Sequence, residues 1–304
     1  MKCDEPSVQR SLSVVAPLAM EDTLKFSLVL ATVDRTVELE RFLKALDEQS
    51  YREFELIVVD QNSDDRLTSM LEPYRGRFSY THLRSSVRGL SRARNLGIKQ
   101  ITGDVVSFPD DDCWYPPNAL DWVAECFRRH PEWGGVCGRS VDEKGRWSHA
   151  RWPKRSLDVD RFHLWAVSFA IFLRREVVDA TGDFDETLGV GAGTPWGSCE
   201  EGDYVLRALE KRYRIVYDPE LFIFHPRPLD GYDTKAFNRA YYYAMGQGRF
   251  FRKHNYPASW VLYRSMSTLG GSVLALATGR VGKAIYHWKV FEGRLRAWKS
   301  SLHA

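Results

Sequence analysis

The chain has 304 residues, 44% hydrophobic and 27% charged, enough for one large domain or two modest ones with a substantial core. No uncharged apolar run reaches the roughly 18 residues a membrane-spanning helix needs. The five cysteines are odd in number and never spaced CxxC, which excludes a disulfide framework or zinc site and points to a reducing compartment.

Net charge is +3, but it is unevenly spread. From Gly246 to Ala304 there are ten Lys/Arg against Glu292, so the tail carries +9 and the first 245 residues −6. Residues 1–24 read as a lead-in segment. Its apolar run "LSVVAPLAM" follows Asp4 and Glu5 and lacks a small-x-small cleavage site, so no signal peptide is expected.

"FSLVLATV" (26–33) is a β-branched, continuously apolar run, the mark of a strand buried on both faces. In "TVELERFLKALDEQSY", Leu39, Phe42, Leu43 and Leu46 fall at helical spacing, with Thr36 as N-cap. "FELIVVD" then gives a second buried strand ending at Asp60. Strand, helix, strand in about 40 residues is a right-handed parallel crossover. The alternation continues: "YTHLR" as a short strand, "GLSRARNLGIKQI" as a helix, "DVVSF" as a strand, "PNALDWVAECFRRH" as a helix and "GGVCGRSV" as a strand. Beyond about 165 the spacing predicts a strand, a short helix, a glycine-rich loop, a helix over about 201–211 and two strands ending at His225. The rest is aromatic, basic and helical. The fold class is therefore α/β, a Rossmann-like, mostly parallel sheet flanked by helices with a C-terminal helical extension. Its ligand site belongs at the carboxyl ends of the strands.

Three clusters fall there. "FPDDDCWY" puts Asp110, Asp111 and Asp112 side by side after an apolar strand. Such charges repel unless a cation sits among them. On an extended segment Asp110 and Asp112 point the same way and can hold one hard cation, Mg²⁺ or Mn²⁺, whose other ligands are waters and phosphates; a surface turn cluster is the plainer reading. Asp60 ends a strand after a βαβ unit, where an acid accepts from a ribose hydroxyl. The first βα turn, "ATVDRT", has no GxGxxG, which favours a single nucleotide over a dinucleotide. Third, "GTPWGSCEEGDYVLRAL" opens a helix with Glu200, Glu201 and Asp203 in its first turn, suited either to capping or to a general base beside Trp196.

Taken in order, "SLVLATVDR…FELIVVDQNSDD…GLSRARNLGI…DVVSFPDDDCWYP…FDETLGVGAG…SCEEGDYVLRAL…YDPELFIFHP" resembles the GT-A glycosyltransferases of family 2, over about residues 24–228. The resemblance implies an inverting enzyme, of hexosyltransferase type, that moves a sugar from a nucleoside-diphosphate sugar to an acceptor hydroxyl. Thr32, Asp34, Asp60, Asn62, Arg88, Arg94, Asp110 and Asp111 would bind the nucleotide sugar, and Asp110, Asp112 and His225 a divalent metal. Glu201, Glu200 and Asp203 would be catalytic, with the choice of base between Glu200 and Glu201 open. Trp196 and Gly197 would meet the acceptor, a glycan or lipid-linked saccharide, and Cys113 stands where the family often has a further acid. It also implies a nucleotide-binding half (25–115), an acceptor-binding half (116–228) and a basic aromatic tail (229–304). A cytoplasmic enzyme of surface-polysaccharide synthesis is expected, its tail either resting on the inner face of the membrane or capping the acceptor cleft; diffuse charge speaks against nucleic acid.

Two rivals make different demands. A sugar nucleotidyltransferase should show a glycine-rich basic loop after the first strand, and "ATVDRTVE" has no glycine. An inactive sugar-binding or scaffold protein should have lost its acids, yet Asp60, Asp110, Asp112 and Glu201 are all present.

Overall fold

The structure is a computed structural model that describes residues 23–146, 152–226 and 231–300. The lead-in to residue 22, Cys3 and the boundary expected at 228/229 lie outside the described residues.

The first half follows the sequence pattern closely. β1 (Phe26–Thr32) is buried at every position, as an unbroken apolar run requires. It pairs in parallel with β2 (Phe54–Asp60), and β2 with β3 (Ser79–Arg84). Between them α1 (Val37–Asp47) buries Leu39, Phe42, Leu43 and Leu46 against one face of the sheet. Each such side chain contributes about 1.5–3 kcal/mol relative to exposure. Thr36 sits at its N-cap, but its side chain makes no capping bond. A short helix, α2 (Arg66–Leu71), precedes β3; α3 (Leu90–Ile98) packs on the opposite face, and β4 (Val105–Ser107) joins β1 in parallel. Gly97 sets the depth of α3: a Cβ there would lie 2.4 Å from Val29 Cγ1.

The second half is mixed. After α4 (Ala119–Arg129) come β5 (Gly135–Val141), the two-residue β6 (Leu157–Asp158), β7 (Ile171–Arg174), α5 (Arg175–Thr181), α6 (Glu200–Glu210) and β8 (Ile215–Phe224). Sheet order is β3-β2-β1-β4-β7-β5-β8-β6. β7 inserts antiparallel between β4 and β5, because no helical crossover intervenes to bring the chain back in parallel. The two strands expected before His225 are one ten-residue strand, β8, whose register against β5 shifts between Cys137 and Arg139. A bulge bends the strand there without ending it.

The tail forms α7 (Thr234–Lys253), α8 (Ala258–Ala277) and α9 (Val281–Lys299). α9 lies along α7 so closely that a Cβ on Gly248 or Gly293 would meet backbone of the facing helix at 2.2 and 2.5 Å. Among the described residues no helix is long and apolar enough to cross a membrane.

Candidate functional site

The strand ends assemble the site. Thr32 ends β1, Asp60 ends β2 in register beside it, and Asp110 bridges to Ala31 just beyond β4. The three aspartates do not run on as an extended segment. Cys113 N–H donates to the Asp110 carbonyl, so Asp111 and Asp112 occupy a tight turn and the carboxylates fan out onto different partners. Asp110 accepts from Arg94 Nη2 at 3.0 Å and from Ser168 Oγ at 3.2 Å. Asp111 accepts from Thr32 Oγ1 and Arg35 Nη1, each at 2.8 Å. Asp112 pairs with Arg35 and lies 3.3 Å from His225 Nε2. The cations that relieve the repulsion are thus supplied by the protein, and Arg35, in the first βα turn, is one that sequence reasoning missed. Its place directly after Asp34 in "ATVDRT" was the available signal.

The titrations follow this arrangement. Burial raises Asp110, the Arg94 charge opposing it. Burial likewise pushes Asp111 up to about 6 against Arg35 and Thr32. At Asp112 burial is outweighed by His225 and Arg35, and its pKa falls to about 2. His225 is raised: burial works against its charge, but the carboxylates of Asp112 and Asp110 prevail. Its ring stacks on Phe169 at 4.9 Å, and Nδ1 bonds the Pro226 carbonyl at 2.7 Å, which aims Nε2 at Asp112. Carboxylate oxygen and an imidazole nitrogen held by its other ring nitrogen are a chemically apt donor pair for a divalent ion. Among the described residues, however, no group of three or more His, Cys, Asp or Glu side chains is placed to hold a metal. The pair fits such an ion when phosphate and water complete its shell.

Asp60 is 0% exposed. One carboxylate oxygen accepts from the backbone and side-chain nitrogens of Asn62, both at 2.8 Å, and the other lies 3.0 Å from His82 Nε2 on β3. Asn62 Oδ1 in turn accepts the Asp34 N–H at 2.8 Å. Asn62, expected to bind the nucleotide sugar, therefore locks the first two strand-end loops together. Asp34 has φ +59° and an exposed carboxylate paired with Arg88 at 3.2 Å. Arg88 is exposed, whereas Arg94 is buried and spans the centre, contacting Asp110 on one side and Glu200 Oε1 at 3.4 Å on the other.

Glu200 and Glu201 open α6. Burial raises both, and each is raised further by a neighbouring carboxylate. Glu200 is buried, tied to Arg94, and fills the space a side chain at Gly189 would need. Glu201 faces the crevice that holds Arg94, Ser168 and Tyr204. Asp203 does not join them. It is 0% exposed and accepts from Arg207 Nε at 2.9 Å, lies 2.8 Å from His254 Nε2 and pairs with Lys253, which hold it well below the carboxylate range despite burial. It anchors the end of α7 to α6 through Lys253 and His254.

A cavity of about 500 Å³ lies next to the glutamates, between the 189–197 loop and Arg239, Tyr242 and Tyr243 of α7. Gly197 lines it, and its N–H donates to the Tyr242 carbonyl at 3.2 Å. Trp196 does not line it. That ring is buried with the Arg249 guanidinium 4.0 Å over its face, so it braces the loop from behind. Burial raises the Tyr243 hydroxyl pKa, and the Glu200 charge raises it further. Nothing in the spacing of "FNRAYYYAM" marked these residues, because their relation to Glu200 is tertiary.

The model of glycosyl transferase family 2 matches residues 27–183, just over half of the chain. The chain belongs to glycosyl transferase family 2. Among curated relatives, the GalNAc(5)-diNAcBac-PP-undecaprenol β-1,3-glucosyltransferase of Campylobacter jejuni is 32% identical over 40% of this chain and 39% of its own length. The poly(ribitol-phosphate) β-N-acetylglucosaminyltransferase TarS of Staphylococcus aureus is 28% identical over 40% of this chain, but 23% of its own. The chain therefore spans less than half of either enzyme. Two solved structures share the GT-A fold over 90% of the chain. They are the mannosyltransferase PcManGT of Pyrobaculum calidifontis, in complex with GDP-Man and Mn²⁺ (TM-score 0.62, 18% identity, 88% of that chain), and residues 1–349 of TarS (0.57, 19%, 91%). The family match ends at residue 183, so the glutamate pair, the cavity loop and α7 lie beyond it.

Proposed function

We propose that this family 2 member transfers a sugar from a nucleoside-diphosphate sugar to a hydroxyl of a glycan or lipid-linked saccharide, with inversion at the anomeric carbon. One observation carries the reading. A buried arginine, Arg94, links the Asp110 turn at the strand ends to a raised-pKa carboxyl pair beside an open cavity. Donor and acceptor sides of a transfer reaction need that adjacency. The solved relatives support the donor class, one bound to GDP-Man with Mn²⁺ and TarS to UDP-GlcNAc. The name of the Campylobacter enzyme supports a polyprenyl-diphosphate-linked acceptor.

Thr32, Asp34, Arg88 and the Asp110–Asp112 turn would receive the nucleoside diphosphate. Asp112 and His225 would hold a divalent ion, which supplies neutralisation of the departing diphosphate. Glu201 is the proposed base. Glu200 is held on Arg94 and stays committed to that ion pair, while Glu201 has, among the described residues, no cation in hydrogen-bond contact and a pKa raised toward the working range. It takes the acceptor proton as the hydroxyl oxygen bonds the anomeric carbon, and the bond from that carbon to the diphosphate oxygen breaks, the electron pair leaving with the nucleoside diphosphate. Attack opposite the leaving group inverts the centre. The four described cysteines are free thiols, which suits the reducing compartment where nucleotide sugars are made.

The test is calorimetric binding of UDP, GDP and dTDP, with and without Mn²⁺, to the wild-type chain and to Asp112→Ala. One diphosphate should bind in a Mn²⁺-dependent manner that the substitution abolishes. Absence of binding to all three by folded protein would remove the transferase reading and favour a scaffold.

A further inference from the structure

α8 uses a narrow stripe for packing and leaves the rest outside. Val261, Ser265 and Ala275 are buried, Ser272 Oγ donates to the Ala284 carbonyl at 2.8 Å, and Thr268 Oγ1 accepts from Arg294 at 3.1 Å. These five positions are spaced 4-3-4-3, the seam of a helix lying along α9. One residue further on runs a second 4-3-4-3 stripe, Leu262, Met266, Leu269, Val273 and Leu276, and its neighbours include Tyr263 and Leu274. Leu262, Tyr263, Met266, Val273, Leu274 and Leu276 are 46–66% exposed. Across the 278–280 turn Val281, Ile285 and Trp288 continue the apolar surface at 4-3 spacing, 39–55% exposed. An outward helix face is ordinarily polar. Here Arg264 is the sole charged residue in the twenty of α8. A contiguous apolar surface of this kind is a contact surface.

Charge decides what covers it. The region from Gly246 on carries ten Lys/Arg against Glu292, and Arg264 and Arg280 are exposed beside the apolar stripes, with Lys283 half-buried at the start of α9. A second copy seated on the same face would set one strongly basic tail against another. An anionic lipid surface is complementary to both the apolar and the basic components, and α8 is neither long nor apolar enough to span it.

We propose that the outer face of α8, with the first turns of α9, lies in the headgroup region of an anionic membrane, with Arg264, Arg280 and Lys283 at lipid phosphates. The two roles open for the tail are then divided between helices: α7 walls the cavity and α8 docks. This docking does not depend on the transferase reading, and nucleoside-diphosphate binding, read separately, distinguishes failure of one from failure of the other.

The experiment is co-sedimentation of the full chain with phosphatidylcholine vesicles and with mixed phosphatidylcholine–phosphatidylglycerol vesicles, with light scattering for oligomeric state. The wild type should pellet with the anionic vesicles and remain in solution with the neutral ones. Val273→Glu/Leu276→Glu should reduce the bound fraction about ten-fold, at unchanged melting temperature and circular dichroism. Leu262→Ser/Met266→Ser supplies the same test should the first pair not fold, and Arg280→Gln/Lys283→Gln should lower binding several-fold. No binding to anionic vesicles, undiminished binding by folded variants, or a dimer that Val273→Glu/Leu276→Glu splits into monomers would overturn the proposal.

Discussion

Three adjacent aspartates are tolerable here because a turn at Asp111–Asp112 sets Asp110 on Arg94 and Asp112 beside His225, with Arg35 shared between Asp111 and Asp112. The same logic separates the two glutamates. Glu200 has Arg94; Glu201 has burial and a charged neighbour, so it holds its proton more tightly than an ordinary glutamate. A base must be deprotonated to act, so kcat/KM should rise with pH along a limb whose midpoint lies above 4.5, the ordinary value for glutamate. The two carboxyls titrate as a pair, and the limb reports that pair. Glu201→Gln should lower kcat by about 10²–10⁴-fold, the usual span for a general base, and abolish the limb. Glu200→Gln should leave part of it. Steady-state kinetics across pH for the two variants decides the assignment, and an unchanged profile in Glu201→Gln would sink it.

Among the elements, α6 does two jobs from one turn. Glu201 lines the crevice beside Arg94, while Asp203, one turn in, binds Arg207 of its own helix and Lys253 and His254 at the end of α7. Breaking a buried ion network of this kind costs roughly 3 kcal/mol. Asp203→Asn should lower stability by about that amount in urea titration and loosen α7. The sign with pH follows from its depressed pKa. The stabilisation is complete above the unfolded carboxylate value near 3.9 and is lost as pH falls toward the folded one. Wild type and Asp203→Asn should therefore converge in stability on acidification, and a constant difference down to the lowest measurable pH would refute the role.

For the molecule as a whole, the parallel half of the sheet presents Thr32, Asp60 and Asp110 at one edge, and α7 closes over the loop that follows α5. The cavity wall formed by Arg239, Tyr242 and Tyr243 lies beyond residue 183, where the family match ends, and on the proposed function it is the wall expected to meet the acceptor. Tyr243→Ala should raise the acceptor KM about ten-fold, as loss of one aromatic contact predicts, while nucleoside-diphosphate affinity by calorimetry stays unchanged. A parallel loss of both affinities would mean that the helix supports the donor site instead.

How much of this was legible in advance depends on the range of the interactions. β1, α1, β2 and α3 were readable because their information is local: continuous β-branched runs for strands buried on both faces, and Leu39, Phe42, Leu43 and Leu46 on one helical stripe. The strand-end acids were readable for the same reason, since a parallel sheet sends its carboxyl ends to one edge whatever their exact partners. The antiparallel insertion of β7 was not readable, because it depends on which edge the returning chain finds free. Nor were Arg35 between Asp111 and Asp112, His82 on Asp60, or the removal of Asp203 from the glutamate pair to the end of α7. Sequence by itself determined which chemical groups stand at the strand ends, since that needs only secondary-structure period and chain direction. Tertiary structure alone decided which charge each carboxylate meets, because ion pairing is set by distances between segments that the sequence separates by tens of residues.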